Sequence, residues 1–321
     1  MANITLTING KAVTVPAGTS LLDAATGAGF FVPTFCHDPA IPNYGGCRIC
    51  VVEVKGARAL VASCSAEAMS GMVVETESPA VVEARKTILE LILANHPADC
   101  ITCEKLGDCR LEEYAYRYQV SPLAFKGAKH DYPVEDTNPY IVRNMNKCIL
   151  CARCVRTCEQ VKDRAVIDLA YRGFNTKVAT AMDTDLAESD CVYCARCVAV
   201  CPVGALTYKN MALKGRQFQI RKEPVTCTFC DAGCTFDINY KGDKAIGITA
   251  RAPGEGRPLC LKGRLGLELL TVDEPMAPIL KKNGEFVQVS WAEALGLAGV
   301  LEKMKEQEGK HRVSAKMVMT A

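Results

Sequence analysis

Nineteen cysteines dominate this 321-residue sequence, and they fall into five groups. Cys148, Cys151, Cys154 and Cys158 have C-x2-C-x2-C-x3-C spacing, and Cys191, Cys194, Cys197 and Cys201 repeat it with Pro202 following. In such runs three closely spaced thiolates grip one 4Fe–4S cube, and the fourth cysteine crosses to a second cube. The spacing therefore predicts one cube on Cys148, Cys151, Cys154 and Cys201, and another on Cys191, Cys194, Cys197 and Cys158. Zinc sites are built from C-x2-C pairs and rarely need three cysteines at two-residue gaps.

Cys36, Cys47, Cys50 and Cys64 have C-x10-C-x2-C-x13-C spacing. The central C-x2-C and the distant fourth cysteine match plant-type 2Fe–2S sites, although the first gap is longer, and by spacing alone zinc stays open. Gly45 and Gly46 precede Cys47, where a cluster-wrapping loop needs backbone N–H groups close to sulfur. Cys227, Cys230, Cys234 and Cys260 fit a zinc ribbon as well as a 4Fe–4S cube. These four sets leave Cys100, Cys103 and Cys109 one ligand short of a cube. His96, at H-x3-C-x2-C-x5-C spacing, is the nearest imidazole, and Asp99 and Asp108 are rivals. His96 as a plain helix C-cap would leave that set incomplete. His37 is read as tuning the Cys36 loop, while His130 and His311 are read as sitting in polar surroundings.

An odd cysteine count without a secretion signal makes a disulfide framework a poor reading, because reduced thiols belong to the cytoplasm. The expected compartment is cytoplasmic. The net charge of +2 argues for neither nucleic acid nor an anionic membrane surface as partner. No apolar run is long enough for a transmembrane helix. No Gly-rich dinucleotide fingerprint follows a strand, so NAD(P) and flavin are expected on partner subunits.

Several elements must position these groups. Ile4, Leu6 and Ile8 alternate with polar residues, and Asn9-Gly10 turns the chain into Lys11–Val15, a β-hairpin. Ser20 and Asp23 cap a short helix through Leu21, Leu22 and Ala25, and Val51, Val52 and Val54 form a strand. Ser78-Pro79 opens a helix whose period is kept by Val82, Ile88, Leu89 and Ile92 and which Pro97 stops, delivering His96 and Cys100. The shared C-A-R-C-V core is an internal repeat. In the tail, Glu285–Val289 reads as a strand, and Ser290 with Glu293 caps a helix through Leu301 and Met304. The Lys281-Lys282 and Lys303–Lys305 runs read as solvated faces.

The order of these sites resembles, from residue 1 to about 275, the large iron–sulfur subunit of NADH:quinone oxidoreductase, the 75 kDa type. It also resembles the N-terminal part of iron-only hydrogenases and of NAD-linked formate dehydrogenase α subunits. The resemblance favours His96 over Asp99 and Asp108 as fourth ligand of a 4Fe–4S cube with Cys100, Cys103 and Cys109. The segment ending P-L-C-L-K-G-R is similar to the 4Fe–4S domain that begins molybdopterin oxidoreductases, which favours a cube on Cys227, Cys230, Cys234 and Cys260. Lys262 matches the lysine that lies beside the pterin in those enzymes.

The implied fold is α+β, a string of small iron–sulfur domains. These are a β-grasp 2Fe–2S ferredoxin-like domain at 1–78 and a helical 4Fe–4S domain at 79–118. After a connector at 119–138 come a 2×4Fe–4S ferredoxin domain at 139–222, a small 4Fe–4S domain at 223–277 and a tail at 278–321. The match ends after residue 308, without the domain that holds molybdenum and pterin or the one that activates hydrogen, so no catalytic residue is expected. What remains resembles the iron–sulfur subunit of flavin-based, electron-bifurcating NAD(P) transhydrogenases. The expected function is a relay of single electrons between a flavoprotein carrying FMN and an NAD(H) site, a further oxidoreductase subunit and soluble ferredoxin. The expected cofactors are one 2Fe–2S and four 4Fe–4S clusters. The alternatives are the iron–sulfur module of a split formate dehydrogenase or hydrogenase, and a zinc-binding scaffold.

Overall fold

The computed structural model describes residues 2–120, 125–160, 164–228, 230–251, 259–260, 263, 278–282, 284–297 and 299. The chain divides into two units, residues 1–267 and 268–321.

The first unit opens with the expected hairpin, β1 (Asn3–Ile8) and β2 (Lys11–Pro16), paired antiparallel so that Ile8 faces Lys11. Asn9 and Gly10 both take positive φ, 48° and 77°, as a tight turn matching the strand twist requires. The sheet order is β2-β1-β5-β3-β4, with β3 at Val51–Val54, β4 at Val61–Ala62 and β5 at Val73–Glu75. Alternation along β1 sends Leu6 and Ile8 inward, where they meet Leu21 and Leu22 of helix α1 (Leu21–Gly27) together with Val52 and Val74. Ser20 Oγ caps α1 by accepting from the Asp23 N–H.

Helix α2 (Pro79–Asn95) has Ser78 as N-cap and ends at His96. Its fully buried stripe is Val81, Arg85 and Leu89, while Val82, Ile88 and Ile92 are only partly covered. A guanidinium therefore sits where periodicity places only aliphatic residues. Arg85 donates to Glu77 Oε1 and Tyr118 Oη, each at 2.8 Å, and to the Val51 carbonyl at 2.9 Å. It thereby ties α2 to β3 and to the end of α3 (Arg110–Arg117).

The two cysteine runs fold alike. Each leads into a helix that carries its third cysteine, α4 (Arg153–Glu159) with Cys154 and α5 (Arg196–Val200) with Cys197, and the two helices pack together. Strand β6 (Ile141–Arg143) pairs with β9 (Leu206–Tyr208), and β7 (Ile167–Ala170) with β8 (Lys177–Thr180). Leu150 and Ala152 in the first run, and Tyr193 and Ala195 in the second, all take left-handed φ between 51° and 55°. A three-stranded sheet follows, β10 (Arg221–Thr226), β11 (Thr235–Lys241) and β12 (Lys244–Ala250), all antiparallel.

In the second unit, β13 (Ile279–Lys282) pairs with β14 (Glu285–Gln288), and Ser290 caps a helical turn at Trp291–Ala294. The expected continuation through Leu301 and Met304 lies outside the described residues, as do Lys303–Lys305 and His311. Lys281 and Lys282 are exposed. His130 departs from its expected polar surroundings, because its ring stacks on Tyr132 and Phe174 at centroid distances of 4.8 and 4.2 Å.

Candidate metal centres

The ferredoxin-like pair is the most fully assembled. Cys148, Cys151, Cys154 and Cys201 line one small cavity with Met145 and Val178. Cys158, Cys191, Cys194 and Cys197 line a second one. Each run thus sends its last cysteine to the other run's cavity. Backbone N–H groups in both runs point at sulfur: the Leu150 N–H donates to Cys148 Sγ and the Tyr193 N–H to Cys191 Sγ, both at 3.4 Å. The Val166 N–H reaches Cys158 Sγ at 3.3 Å. Burial pushes the thiols of Cys148 and Cys151 up to about 12 and about 11, and Cys154 is raised further by burial. Bare thiolates are costly there, and a cationic core bound at the sulfurs would make the ionised form favourable.

In the first domain the thiols of Cys36, Cys47, Cys50 and Cys64 are joined by hydrogen bonds. Cys36 receives them from Cys47 and Cys64 and from the Gly46 and Cys47 N–H groups, which hold it well below the usual thiol value. Cys50 is brought down to about 6, chiefly by Cys64. The hydrogen bonds to Cys36 push Cys47 and Cys64 the other way. A side chain at Gly46 would meet the Tyr44 ring at 2.3 Å, so glycine lets that loop close. His37 braces it from outside: its Nδ1 bonds Asn43 Oδ1 at 2.9 Å, and the Asn43 amide donates to the Cys64 carbonyl at 2.7 Å.

The incomplete set has three members around one cavity, His96, Cys100 and Cys109, while Cys103 lies against Gly204. His96 is only 9% exposed. Its Nδ1 bonds the Pro97 carbonyl at 2.9 Å, which requires the proton on Nδ1 and leaves a lone pair on Nε2. Nε2 is buried without a hydrogen-bond partner. Burial also lowers the His96 pKa, favouring the neutral imidazole that metals bind. The rival carboxylates are engaged with lysines. Asp99 Oδ2 is 2.7 Å from Lys147 Nζ and Asp108 Oδ2 is 2.7 Å from Lys105 Nζ. Asp99 Oδ1 has no partner, but its charge is already offset by Lys147.

The last set is only half assembled among the described residues. Cys227 and Cys234 are buried together with Leu259, joined by a 2.7 Å bond from the Cys227 N–H to the Cys234 carbonyl, while Cys230 and Cys260 are exposed. Lys262 lies outside the described residues. Among the described residues no three His, Cys, Asp or Glu side chains close on a point that a single metal ion would occupy. In an iron–sulfur cluster the thiolates are divided among several irons.

Several contacts that spacing does not reveal hold these sites beside one another. Arg153 is ion-paired with Asp38, and Arg156 donates to the Cys36 and Pro42 carbonyls. The Arg110 N–H bonds the Pro202 carbonyl at 2.9 Å. Arg216 donates to the carbonyls of Cys103 and Ile101 at 3.0 and 2.7 Å. The arginine of the C-A-R-C-V repeat was the one legible sign of these contacts.

Known proteins are similar to this chain. Residues 1–79 match the 2Fe-2S iron-sulfur cluster binding domain family, and residues 85–122 the NADH-ubiquinone oxidoreductase-G iron-sulfur binding region. Residues 138–207 match the ferredoxin-like domain of NADH-quinone oxidoreductase subunit 3. The chain is 31% identical to NADH-quinone oxidoreductase subunit 3 of Thermus thermophilus, over 94% of this chain and 42% of that protein. It is 32% identical to the mitochondrial NADH-ubiquinone oxidoreductase 78 kDa subunit of Neurospora crassa, over 92% and 40%. It is 41% identical to NADP-reducing hydrogenase subunit HndD of Solidesulfovibrio fructosivorans, over 64% and 36%. The chain thus spans less than half the length of these curated relatives. A crystal structure of NAD+-reducing [NiFe]-hydrogenase in the H2-reduced state matches with a TM-score of 0.62 and 30% identity, over 67% of this chain and 91% of that one. The chain belongs to the family of iron–sulfur subunits related to the 75 kDa type of NADH-quinone oxidoreductase and to NAD-reducing hydrogenase.

Proposed function

We propose that the chain is an electron-transfer subunit of an oxidoreductase complex of this family, holding one 2Fe–2S and four 4Fe–4S clusters at the five residue sets above. The observation that carries this reading is the pair of cavities in which each cysteine run lends its last member to the other's site. When bound, such clusters supply reversible one-electron chemistry. The residues of this chain hold them, keep water from them and set their surroundings. Apolar side chains such as Met145, Val178 and Leu206 wall the first cavity, and N–H groups aimed at sulfur stabilise negative charge there. The contacts from Cys36 to Arg156 and from Cys103 to Gly204 keep successive sites adjacent.

The finer reading is that electrons pass between a flavoprotein with FMN and an NAD(H) site, a further oxidoreductase subunit and soluble ferredoxin, in a cytoplasmic and electron-bifurcating complex. The test is electron paramagnetic resonance on the complex purified without oxygen. NADH should reduce the clusters when the flavoprotein subunit is present, and not in the isolated chain. Reduction of added ferredoxin should then depend on a second, higher-potential acceptor. Clusters that answer to dithionite but never to NADH or NADPH in the intact complex would contradict it.

A second reading, a hydrogenase module with its active site on another chain, is favoured by the likeness to the two hydrogenases. Reduction of the clusters by dihydrogen in the complex would select it.

A further inference from the structure

The two C-A-R-C-V cores place an arginine at the same point, Arg153 at the start of α4 and Arg196 at the start of α5. Both are buried, 6% and 8% exposed. Their surroundings differ. Arg153 is ion-paired with Asp38 of the first domain, itself buried, so its charge is neutralised on the spot. Arg196 makes no ion pair with any carboxylate among the described residues, and its Nε, like that of Arg153, is buried without a hydrogen-bond partner. Arg196 stands in the wall of the cavity of Cys158, Cys191, Cys194 and Cys197, at the start of a helix that packs toward the strands following Cys234. This placement follows from the fold, because α5 packs on β12, and β12 pairs with β11, which begins directly after Cys234.

The two cavities carry the same asymmetry. The one walled by Cys148, Cys151, Cys154 and Cys201 has no charged residue in its described lining. The one walled by Cys158, Cys191, Cys194 and Cys197 is lined by Arg143, Arg164 and Arg196. Arg143 is offset by Glu135 at 2.5 Å, and Arg164 is exposed to solvent. Among the described residues Arg196 is therefore the buried cation of that site without a carboxylate to offset it.

We infer that Arg196 is a positioning residue for the electron: it makes the Cys158/Cys191/Cys194/Cys197 site the higher-potential one of the pair and couples it to the site of Cys234. Gaining one electron adds one negative charge beside a fixed positive one, and the low dielectric of a buried site magnifies that stabilisation. The electron then rests on the side of the ferredoxin-like domain that faces the last domain. The inference rests on the cluster reading above, and the two can fail separately.

The test is a dithionite redox titration of the full chain, followed by electron paramagnetic resonance, alongside iron and sulfide analysis. Cys158→Ser identifies which 4Fe–4S signal belongs to the site. In Arg196→Gln that signal should titrate at lower potential, by a shift equivalent to at least a tenfold change in its reduction equilibrium, about 59 mV for one electron. Arg196→Lys should restore most of it, which a purely packing role would not do. In the unmodified chain the two ferredoxin-like signals should titrate apart, with the Cys158 signal higher. Unchanged potentials in Arg196→Gln with full iron content would overturn the role of Arg196 and leave the clusters standing. Should Arg196→Gln lose iron, the unmodified chain decides: coincident or inverted potentials would overturn the inference. A chain without iron and sulfide would overturn the cluster reading instead.

Discussion

Gly204 lies directly against Cys103: a Cβ built on the glycine would stand 2.6 Å from Cys103 Sγ. The two residues come from different modules, Cys103 from the loop between α2 and α3 and Gly204 from the turn after Cys201. The missing side chain lets the third member of the histidine set pack against the ferredoxin-like domain.

Gly204→Ala should therefore displace Cys103. Overpacking of this kind costs about 1–3 kcal/mol. We expect selective loss of the signal from the His96 site, with the other 4Fe–4S signals kept. Iron analysis with resonance spectra of the variant checks this, and a full complement would show that Cys103 can move freely.

His96→Cys should keep a cluster at that site but lower its midpoint potential, because a thiolate adds negative charge where the neutral imidazole had none. Replacement of thiolate by imidazole raises potentials in Rieske centres. His96→Ala should lose iron at the site, since it removes the buried, unpartnered Nε2 while the charge of Asp99 is taken up by Lys147. An unchanged iron content and midpoint in His96→Ala would reject the assignment.

Arg85→Ala should destabilise the first two domains by about 3 kcal/mol. The Val51 carbonyl and the Tyr118 hydroxyl would lose a donor in a dry place, at about 1–3 kcal/mol each, while Glu77, 40% exposed at its side chain, regains water. Arg85→Lys should recover only part of this, because an ammonium cannot reproduce the guanidinium fork. Urea unfolding monitored in both domains gives the values.

The β7–β8 hairpin should weaken as acid protonates Asp183. Burial would raise the Asp183 pKa, but hydrogen bonds from Lys177 at 2.6 Å and Tyr171 at 2.9 Å outweigh it and lower the value below that of an ordinary carboxyl. A depressed carboxyl stabilises the fold above its unfolded value of about 3.9, and the gain is lost as pH falls through the lower folded value. The pair is partly exposed, so Asp183→Asn should cost at most about 1 kcal/mol at pH 7, and close to nothing once both pKa values are passed. Hydrogen exchange in the hairpin measures the difference.

What the sequence made legible was local chemistry. The Asn9-Gly10 turn and the Ser20 and Ser78 caps depend on residue types at short, fixed spacings, and each is found in place; Cys158 and Cys201 each line the other run's cavity. What stayed hidden depends on partners far along the chain. Helical periodicity marks Val82, Ile88, Leu89 and Ile92 on α2, whereas Arg85 is buried because Val51 and Tyr118 reach it from other elements. His130 reads as a polar-loop residue until Phe174 arrives to stack on it. The C-A-R-C-V repeat shows two equivalent arginines, but only the fold pairs one with Asp38 and leaves the other in the wall of a cysteine-lined cavity without a carboxylate partner among the described residues.

On the proposed reading, all nineteen cysteines and His96 are ligands to inorganic cores. Iron and acid-labile sulfide per chain, determined on protein prepared without oxygen, test it most directly. We predict about eighteen irons and a matching amount of sulfide, as one 2Fe–2S and four 4Fe–4S clusters require. A preparation dominated by zinc, or one with only a few irons per chain, would contradict it.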